Sequence, residues 1–467
     1  MKSPTSYIWT FLGRVGPLVI QLLAMMILAR YLTPEDFGQV GVLSIFIMVA
    51  TTLNDAGFGG SLIKEKEIKQ IDCSTVFVYN LGVSVFLYLI LFFCAGIIED
   101  YFKNTGLSIV VRLISLVFVI NSFGMVAKSL LVRQLKFKVQ LKFSMTGIAL
   151  ASIVAIIMAV NGCGVYSLIA LQLVQATIIS LWALKASKLK LSIRFSINSF
   201  KRLFSFGFYT TCCNVVDTIY ENSLSFLFGR YLSISQAGYI TQAKKIEEIS
   251  TISVAQTINT ASFPILSRIN KKNEFLNEAI SLLRVVPLLL FPGLLILSLF
   301  STEIVYVVLG AKWCQVAPFL SILIFAGMFM ILETLVRTFI KSLGYVSSLL
   351  KVTLIKRSIG LCIILLALFT AKNQVLLAYV FGAFIGLIMN LNLFCKLTNS
   401  TIIYLLRTIS LSCLPTLVIY IICLIAFNLS SLLLVKLAIA IIFLSIHYLC
   451  VLPMYGYRMR NFFKIFK

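Results

Sequence analysis

Negative charge is scarce in this chain: its 467 residues include 16 Asp and Glu against 40 Lys and Arg, with only 12% charged in all. Soluble domains carry about 25% charged residues, so a soluble globular protein is excluded. The only histidine, His447, lies in the last apolar run without a sequence partner for a proton relay or a metal, and reads as structural. The 11 cysteines are scattered singly, mostly within apolar runs, apart from the adjacent Cys212-Cys213. Without a C-x-x-C or a Cys/His spacing they exclude a metal site and read as small packing residues. H-E-x-x-H, G-x-S-x-G and Walker A sequences are all missing, as is an acidic loop pair suited to a metal. No enzyme, cofactor, metal site or catalytic residue is therefore expected. Pumping energy would have to come from an ion gradient or from the substrate's own gradient.

Apolar length is abundant. The chain is 60% hydrophobic with a mean hydropathy of +1.02, which places it among integral membrane proteins. The first apolar run continues into Arg30 without an A-x-A-like site, so it is expected to stay rather than be cleaved. About 20 apolar residues cross a bilayer core. On that rule spans fall near 8–29, 38–62, 76–98, 107–127, 143–160, 164–184, 204–229, 237–263, 285–309, 316–340, 352–371, 374–395, 404–426 and 432–452. The expectation is an all-α polytopic membrane protein of about fourteen transmembrane helices. The two longest connections, near 185–203 and 264–284, are basic, and no soluble domain fits between spans.

With the N-terminus inside, the basic clusters fall on the cytoplasmic side: Lys64, Lys66 and Lys69, Lys128 to Lys142, Lys185 to Arg202, Arg268 to Arg284, Lys341 to Arg357, then Lys396, Arg407 and the tail from Arg458 to Lys467. The net charge of +24 is thus the positive-inside bias of a multi-pass protein rather than a nucleic-acid footprint. Both termini are expected in the cytoplasm. The same bias requires the polar segment 237–263 to cross, because otherwise every later basic loop would move outside.

A degraded repeat organises the chain. Arg30-Tyr31-Leu32-Thr33-Pro34-Glu35-Asp36-Phe37-Gly38 returns 200 residues later as Arg230-Tyr231-Leu232-Ser233-Ile234-Ser235-Gln236-Ala237-Gly238. Each copy lies between an outward-going and an inward-going helix. A period this long fits two related membrane halves: two pseudo-symmetric six-helix lobes and two extra C-terminal helices. The expected division is 1–185 for the N-terminal lobe, 186–203 for a basic cytoplasmic linker, 204–396 for the C-terminal lobe, and 397–467 for the last two helices and basic tail.

Ionisable groups within apolar spans are costly, about 2.5–3.5 kcal/mol each on insertion scales, and so are functional candidates. The eighth span holds Lys244, Lys245, Glu247 and Glu248, of which Lys244, Glu247 and Glu248 share a side with Thr251, Asn259 and Ser262, opposite Ile246 and Ile249. Arg14, Asp55, Asp217 with Glu221, and Glu333 with Arg337 complete the set. The last two are i,i+4 pairs on single helix faces. Glu333 with Arg337, and Lys244 with Glu248, also read as structural ion pairs. Arg14 and Asp55 lie near helix ends, where snorkelling competes with substrate contact. Two carboxylates on one face repel unless one is protonated or a cation is near, so Asp217 and Glu221 are candidates for ion coupling, together with Asp55.

Leu28-Ala29-Arg30-Tyr31-Leu32-Thr33-Pro34-Glu35-Asp36-Phe37-Gly38, Asp55-Ala56-Gly57-Phe58-Gly59, Leu131-Val132-Arg133-Gln134-Leu135-Lys136-Phe137-Lys138 and Phe263-Pro264-Ile265-Leu266-Ser267 resemble the polysaccharide transport family. Its members are O-antigen and exopolysaccharide repeat-unit flippases of the multidrug/oligosaccharidyl-lipid/polysaccharide exporter superfamily. The resemblance implies alternating access in a bacterial inner membrane around a central cavity. It implies as substrate an undecaprenyl-diphosphate-linked oligosaccharide moved to the periplasmic leaflet, with membrane lipids and a glycan polymerase of the same pathway as partners. A cationic cavity is also implied, for which Arg14, Lys244, Lys245 and Arg337 are the local candidates, with Glu247, Glu248 and Glu333 as ion-pair partners. The competing readings are a drug or toxin extruder of the same superfamily and a membrane-embedded glycan polymerase or ligase. The second would need a large periplasmic loop, and every outside loop here is short.

Overall fold

The computed structural model describes residues 4–55, 58, 61–62, 68–134, 136–187, 189, 192–251, 262, 266–267, 269, 271–429, 435–436, 438–445 and 447–449. Outside them lie Ala56-Gly57 and Gly59, Lys64 and Lys66, Leu135, the end of the eighth span at 252–261 with Asn259, Phe263-Pro264-Ile265, and the tail from 450 onward. The side chain of Arg14 lies outside them too.

Among the described residues the chain is helical and has no strands. The helices are α1 (Pro4–Tyr31), α2 (Pro34–Asp55), α3 (Gln70–Phe102), α4 (Leu107–Ile114), α5 (Leu116–Arg133), α6 (Phe137–Val160), α7 (Val165–Ser187) and α8 (Ile197–Tyr231). They continue as α9 (Ile234–Ser250), α10 (Lys272–Leu299), α11 (Ser301–Val308), α12 (Val316–Ser342), α13 (Val346–Thr370), α14 (Val375–Thr398) and α15 (Ile402–Leu429). Ten helical stretches among the described residues are long and apolar enough to cross a membrane. The expected spans at 8–29 and 204–229, and the described parts of those at 237–263 and 432–452, also fall on helical residues, shorter or more polar than the ten. An all-helical chain follows from the solvent, since lipid cannot satisfy an open backbone. The protein is a multi-pass membrane protein.

The repeat has a local cause in helix capping. Thr33 precedes α2 as its N-cap: its N–H donates to Asp36 Oδ2 at 2.8 Å, and the Asp36 N–H donates to Thr33 Oγ1 at 3.3 Å. Pro34 fits the first helical position, where no N–H is needed. In the second copy Ser233 Oγ accepts the Gln236 N–H at 3.1 Å, opening α9 in the same way.

By contact density the chain divides into two units, Met1–Gln242 with Val308–Trp313, and Ala243–Val307 with Cys314–Lys467. In the first unit the two capped helix starts meet each other. A methyl group on Gly38 would overlap the Ile234 carbonyl, and one on Gly238 would overlap the Pro34 carbonyl. Thr241 fills the space beside Gly41. The segment Val308–Trp313 packs over the end of α1: Lys312 Nζ donates to the carbonyls of Arg30 at 2.9 Å and Leu32 at 2.5 Å, and Trp313 Nε1 donates to Ala29 at 2.9 Å. The Ala29 and Arg30 carbonyls belong to the last turn of α1 and that of Leu32 directly follows it, where no helical donors are left for them. The Trp313 ring lies edge-on to Phe37 at 5.3 Å and to Tyr239 at 5.9 Å.

Elsewhere in the first unit the segment after α7 docks on the start of α3. Ser192 Oγ lies 2.7 Å from Ser74 Oγ, the Ser196 N–H donates to Thr75 Oγ1 at 3.0 Å, and Arg202 pairs with buried Asp72 at 2.7 Å. Phe58, Val76, Phe77, Val126 and Leu203 form the core beneath.

In the second unit α12 is the central helix, buried along most of its length. Helix α10 contains Pro287 and Pro292. Pro292 has no N–H for the carbonyl four residues earlier, that of Leu288. His447 Nε2 lies 3.0 Å from that carbonyl and Tyr448 Oη donates to Leu289 at 2.9 Å. The lone histidine is structural, as read from the sequence, and the carbonyl it serves is the one proline leaves open.

Candidate functional site

The second unit gathers ionised side chains from α9, α12 and α13 along the buried face of α14. Lys244 is 8% exposed, and its ammonium lies 5.9 Å from the centre of the Tyr379 ring on α14. Glu247, one turn on, is buried, and its Oε1 accepts the Thr251 hydroxyl at 2.5 Å. The Glu247 carboxylate and the Thr251 methyl lie against Gly327 of α12, where any side chain would collide with both. A glycine there lets α9 and α12 approach closely enough for the carboxylate to be buried.

Two turns along α14 from Tyr379 is Gly386, roughly 10 Å away at 1.5 Å per residue and on the same face. Glu333 Oε2 lies 3.0 Å from where a Gly386 side chain would begin. Glu333 is 2% exposed and pairs with Lys356 of α13 and, at 3.5 Å, with Arg357 Nη2. Arg337 sits one turn beyond Glu333 on α12 and is half-buried. Removing either sign from such a cluster strands the other in a medium of low polarity, so the groups are held as a set.

The structure brings four sequence-named residues into this polar seam: Lys244, Glu247, Glu333 and Arg337. Lys245 and Glu248 share its helix, half-buried and exposed respectively. Asp217, Glu221 and Asp55 belong to the first unit. There Asp217 is buried, Glu221 half-buried and Asp55 exposed at the last turn of α2. Their neighbours line a polar seam between α2 and α8, with Ser44 donating to Asn222 Oδ1 at 3.0 Å and Thr52 Oγ1 lying 3.4 Å from Thr218 Oγ1. Arg14 lies on α1, and its side chain is outside the described residues.

Sequence reasoning missed Lys356 and Arg357. Both were counted with the loop cations, yet they are 1% and 4% exposed and engage Glu333. The available signal was their position, four and five residues after the expected start of the span at 352. In all, the seam and its flank carry Lys244, Lys245, Arg337, Lys356 and Arg357 against Glu247, Glu248 and Glu333, a formal excess of two positive charges (five minus three). Among the described residues no group of three or more His, Cys, Asp or Glu is placed to hold a metal.

Comparison with known proteins adds to this geometry. Residues 27–318 match the protein family described as "Polysaccharide biosynthesis protein". A membrane protein of the cps region of Klebsiella pneumoniae is 26% identical over 332 residues, 70% of this chain and 68% of that protein. The succinoglycan biosynthesis transport protein ExoT of Rhizobium meliloti is 27% identical over 317 residues, 68% of this chain and 64% of its own. The chain thus spans about two thirds of the length of the curated relatives it matches. In fold it is similar to a solved structure of the lipid II flippase MurJ in an inward closed conformation, with a TM-score of 0.70 and 17% identity, covering 96% of this chain and 100% of that one.

Proposed function

Because this chain belongs to the polysaccharide biosynthesis protein family, we propose that it translocates a lipid-linked oligosaccharide repeat unit across a bacterial inner membrane for cell-surface polysaccharide synthesis. The observation that carries the reading is the excess of buried cations along α14 in a chain whose relative ExoT is named as a transport protein. A lipid-linked sugar has a diphosphate between its glycan and its polyprenyl tail, and that charge cannot cross hydrocarbon alone. Lysine and arginine at membrane depth compensate it while the tail stays in lipid.

In this reading Lys244, Lys245, Arg337 and Arg14 contact the diphosphate, and Lys356 with Arg357 sets the local potential from behind Glu333. Glu247, Glu248 and Glu333 keep the cations in place in the substrate-free state. Asp217, Glu221 and Asp55 couple the cycle to a cation or proton gradient. Two six-helix lobes, with the basic ends and both termini in the cytoplasm, alternate access around the site. The chain itself performs no bond chemistry, and a glycan polymerase takes over the delivered unit.

The test is complementation. Wild type and the Lys244→Ala and Arg14→Ala variants are expressed in bacteria lacking their own repeat-unit flippase, with surface glycan and protein level followed together. Rescue by wild type, and loss in the variants at equal protein level, is the expected result. Failure of wild type across several glycan backgrounds, with a gain of drug resistance, would move the assignment to an extruder of the same superfamily.

A further inference from the structure

From Ser192 onward, the connection between α7 and α8 is built inside out. Its sequence belongs to the basic linker expected in the cytoplasm, yet its apolar side chains face outward. The stretch 192–196 is not helical, and Ser196 is extended, with φ −123° and ψ 117°. Side chains along such a backbone alternate between two sides. Ser192 and Ser196 take the inner side, against the buried Ser74 and Thr75 of α3. Ser192 Oγ lies 2.7 Å from Ser74 Oγ, the Ser196 N–H donates to Thr75 Oγ1 at 3.0 Å, and Ser196 Oγ caps α8 by accepting the Ser199 N–H at 3.4 Å. Ile193, Phe195 and Ile197 take the other side and are 85%, 49% and 55% exposed. A linker surrounded by water would show the reverse order, polar out and apolar in.

The level of this segment follows from the helices it touches. The stretches containing α3 and α7 are each apolar and long enough to cross a membrane. The segment follows the end of α7, rests on the first two turns of α3 and opens α8, so it lies at the membrane–water boundary. Its outer side continues that of α7, where Leu181 and Trp182 are exposed near the helix end. An outward-facing tryptophan at that level is the residue type expected at the interface, where its ring meets both apolar and polar surroundings. The segment is also held in place. The Phe195 ring lies 5.8 Å from that of Phe200, which stacks on Phe204 at 5.2 Å, and Arg202 pairs with buried Asp72 at 2.7 Å. Its apolar side chains are therefore presented from a backbone bonded to α3.

We propose that residues 193–197 are a membrane-surface anchor, whose Ile193, Phe195 and Ile197 insert into the interfacial layer of the bilayer beside the end of α7. An exposed apolar cluster at this level finds its partner in the glycerol backbones and first acyl methylenes of the lipid. Arg194 and Lys201 are exposed beside it, a composition suited to the phosphates of the headgroup layer. A docking site for a soluble protein would stand clear of the bilayer, whereas this surface is continuous with the outer side of a membrane-crossing helix. The anchor fixes the depth at which α8 begins, and with it the depth of Asp217 and Glu221 farther along the same helix. It holds independently of what the chain carries.

The experiment uses the full-length protein in phosphatidylcholine nanodiscs, with part of the lipid brominated near the glycerol end of its acyl chains, and reads tryptophan emission. Phe195→Trp exchanges one half-exposed aromatic ring for another, and the emission of the three native tryptophans, measured in wild type, is subtracted. The added emission should fall about twofold with brominated lipid and respond only weakly to aqueous iodide. Ile193→Asp in the same background should cut the lipid quenching about twofold, because a carboxylate resists insertion. That side chain is 85% exposed, so its replacement leaves the packing intact and the comparison decisive. Lipid quenching unchanged by Ile193→Asp overturns the proposal. Quenching by iodide and not by brominated lipid overturns it in favour of a surface that faces water and a soluble partner.

Discussion

Gly38 and Gly238, 200 positions apart, press on each other's helix starts reciprocally: each Cα faces the carbonyl of the residue four before the other, Ile234 and Pro34. Thr241 beside Gly41 continues the pairing of positions related by the same 200-residue offset. A local two-fold relationship between the copies thus runs through backbone-to-backbone contact, which only a residue without a side chain permits.

Substitution at this crossing should be severe. Gly38→Val or Gly238→Val must push one helix start away from the other, because the obstructing atom is a carbonyl that cannot rotate aside. Overpacking of an interior typically costs about 1–3 kcal/mol. Both variants should therefore lower the melting temperature in detergent and abolish glycan export, while Gly82→Ala, with nothing nearby, should change neither.

Removing the Glu333 charge alone should destabilise more than removing it together with the Lys356 charge. Glu333→Gln leaves Lys356 and Arg357 buried without their counter-charge, a loss on the order of 3–5 kcal/mol. Adding Lys356→Met to Glu333→Gln should recover part of the lost thermal stability. A strictly additive double mutant would show that the pair is not coupled.

The His447 contact predicts a conditional effect. His447→Ala removes the partner of the Leu288 carbonyl and should cost about 1–3 kcal/mol, as for a buried acceptor left unsatisfied. In a Pro292→Ala background the helix supplies its own N–H to that carbonyl, so the histidine substitution should cost much less. Equal losses in both backgrounds, read by thermal unfolding, would remove proline from the explanation.

Lys312 and Trp313 hold the last turn of α1 and the residue after it through three carbonyls. Lys312→Met keeps the side-chain length and deletes two of these bonds, and Trp313→Phe keeps much of the ring contact and deletes the third. At about 0.5–1.5 kcal/mol per bond, the double variant should lose about 1.5–4.5 kcal/mol. Hydrogen–deuterium exchange at residues 28–32 should rise in both single variants before any global unfolding.

Composition, apolar length and the 200-residue repeat were enough to determine a multi-pass all-helical membrane protein, because lipid allows a chain like this no other backbone state. The repeat was legible but its capping role was not read from it, although the bonds of Thr33 with Asp36 and of Ser233 with Gln236 act within four residues and need no tertiary information. The candidate site was legible only as a set of misplaced charges. Lys244, Glu247, Glu333 and Arg337 stood out because ions are costly in apolar spans, whereas the partners of those ions are set by which helices adjoin. Hence Glu333 was paired in sequence with Arg337 of its own helix, whose charge does act on it in the fold, while Lys356 and Arg357 from α13 went unforeseen. Only the tertiary structure decided that pairing, as it decided that Gly327 seats the Glu247 carboxylate and that His447 answers Pro292. Each depends on contacts between segments distant in sequence, and periodicity along one helix carries no information about its neighbours.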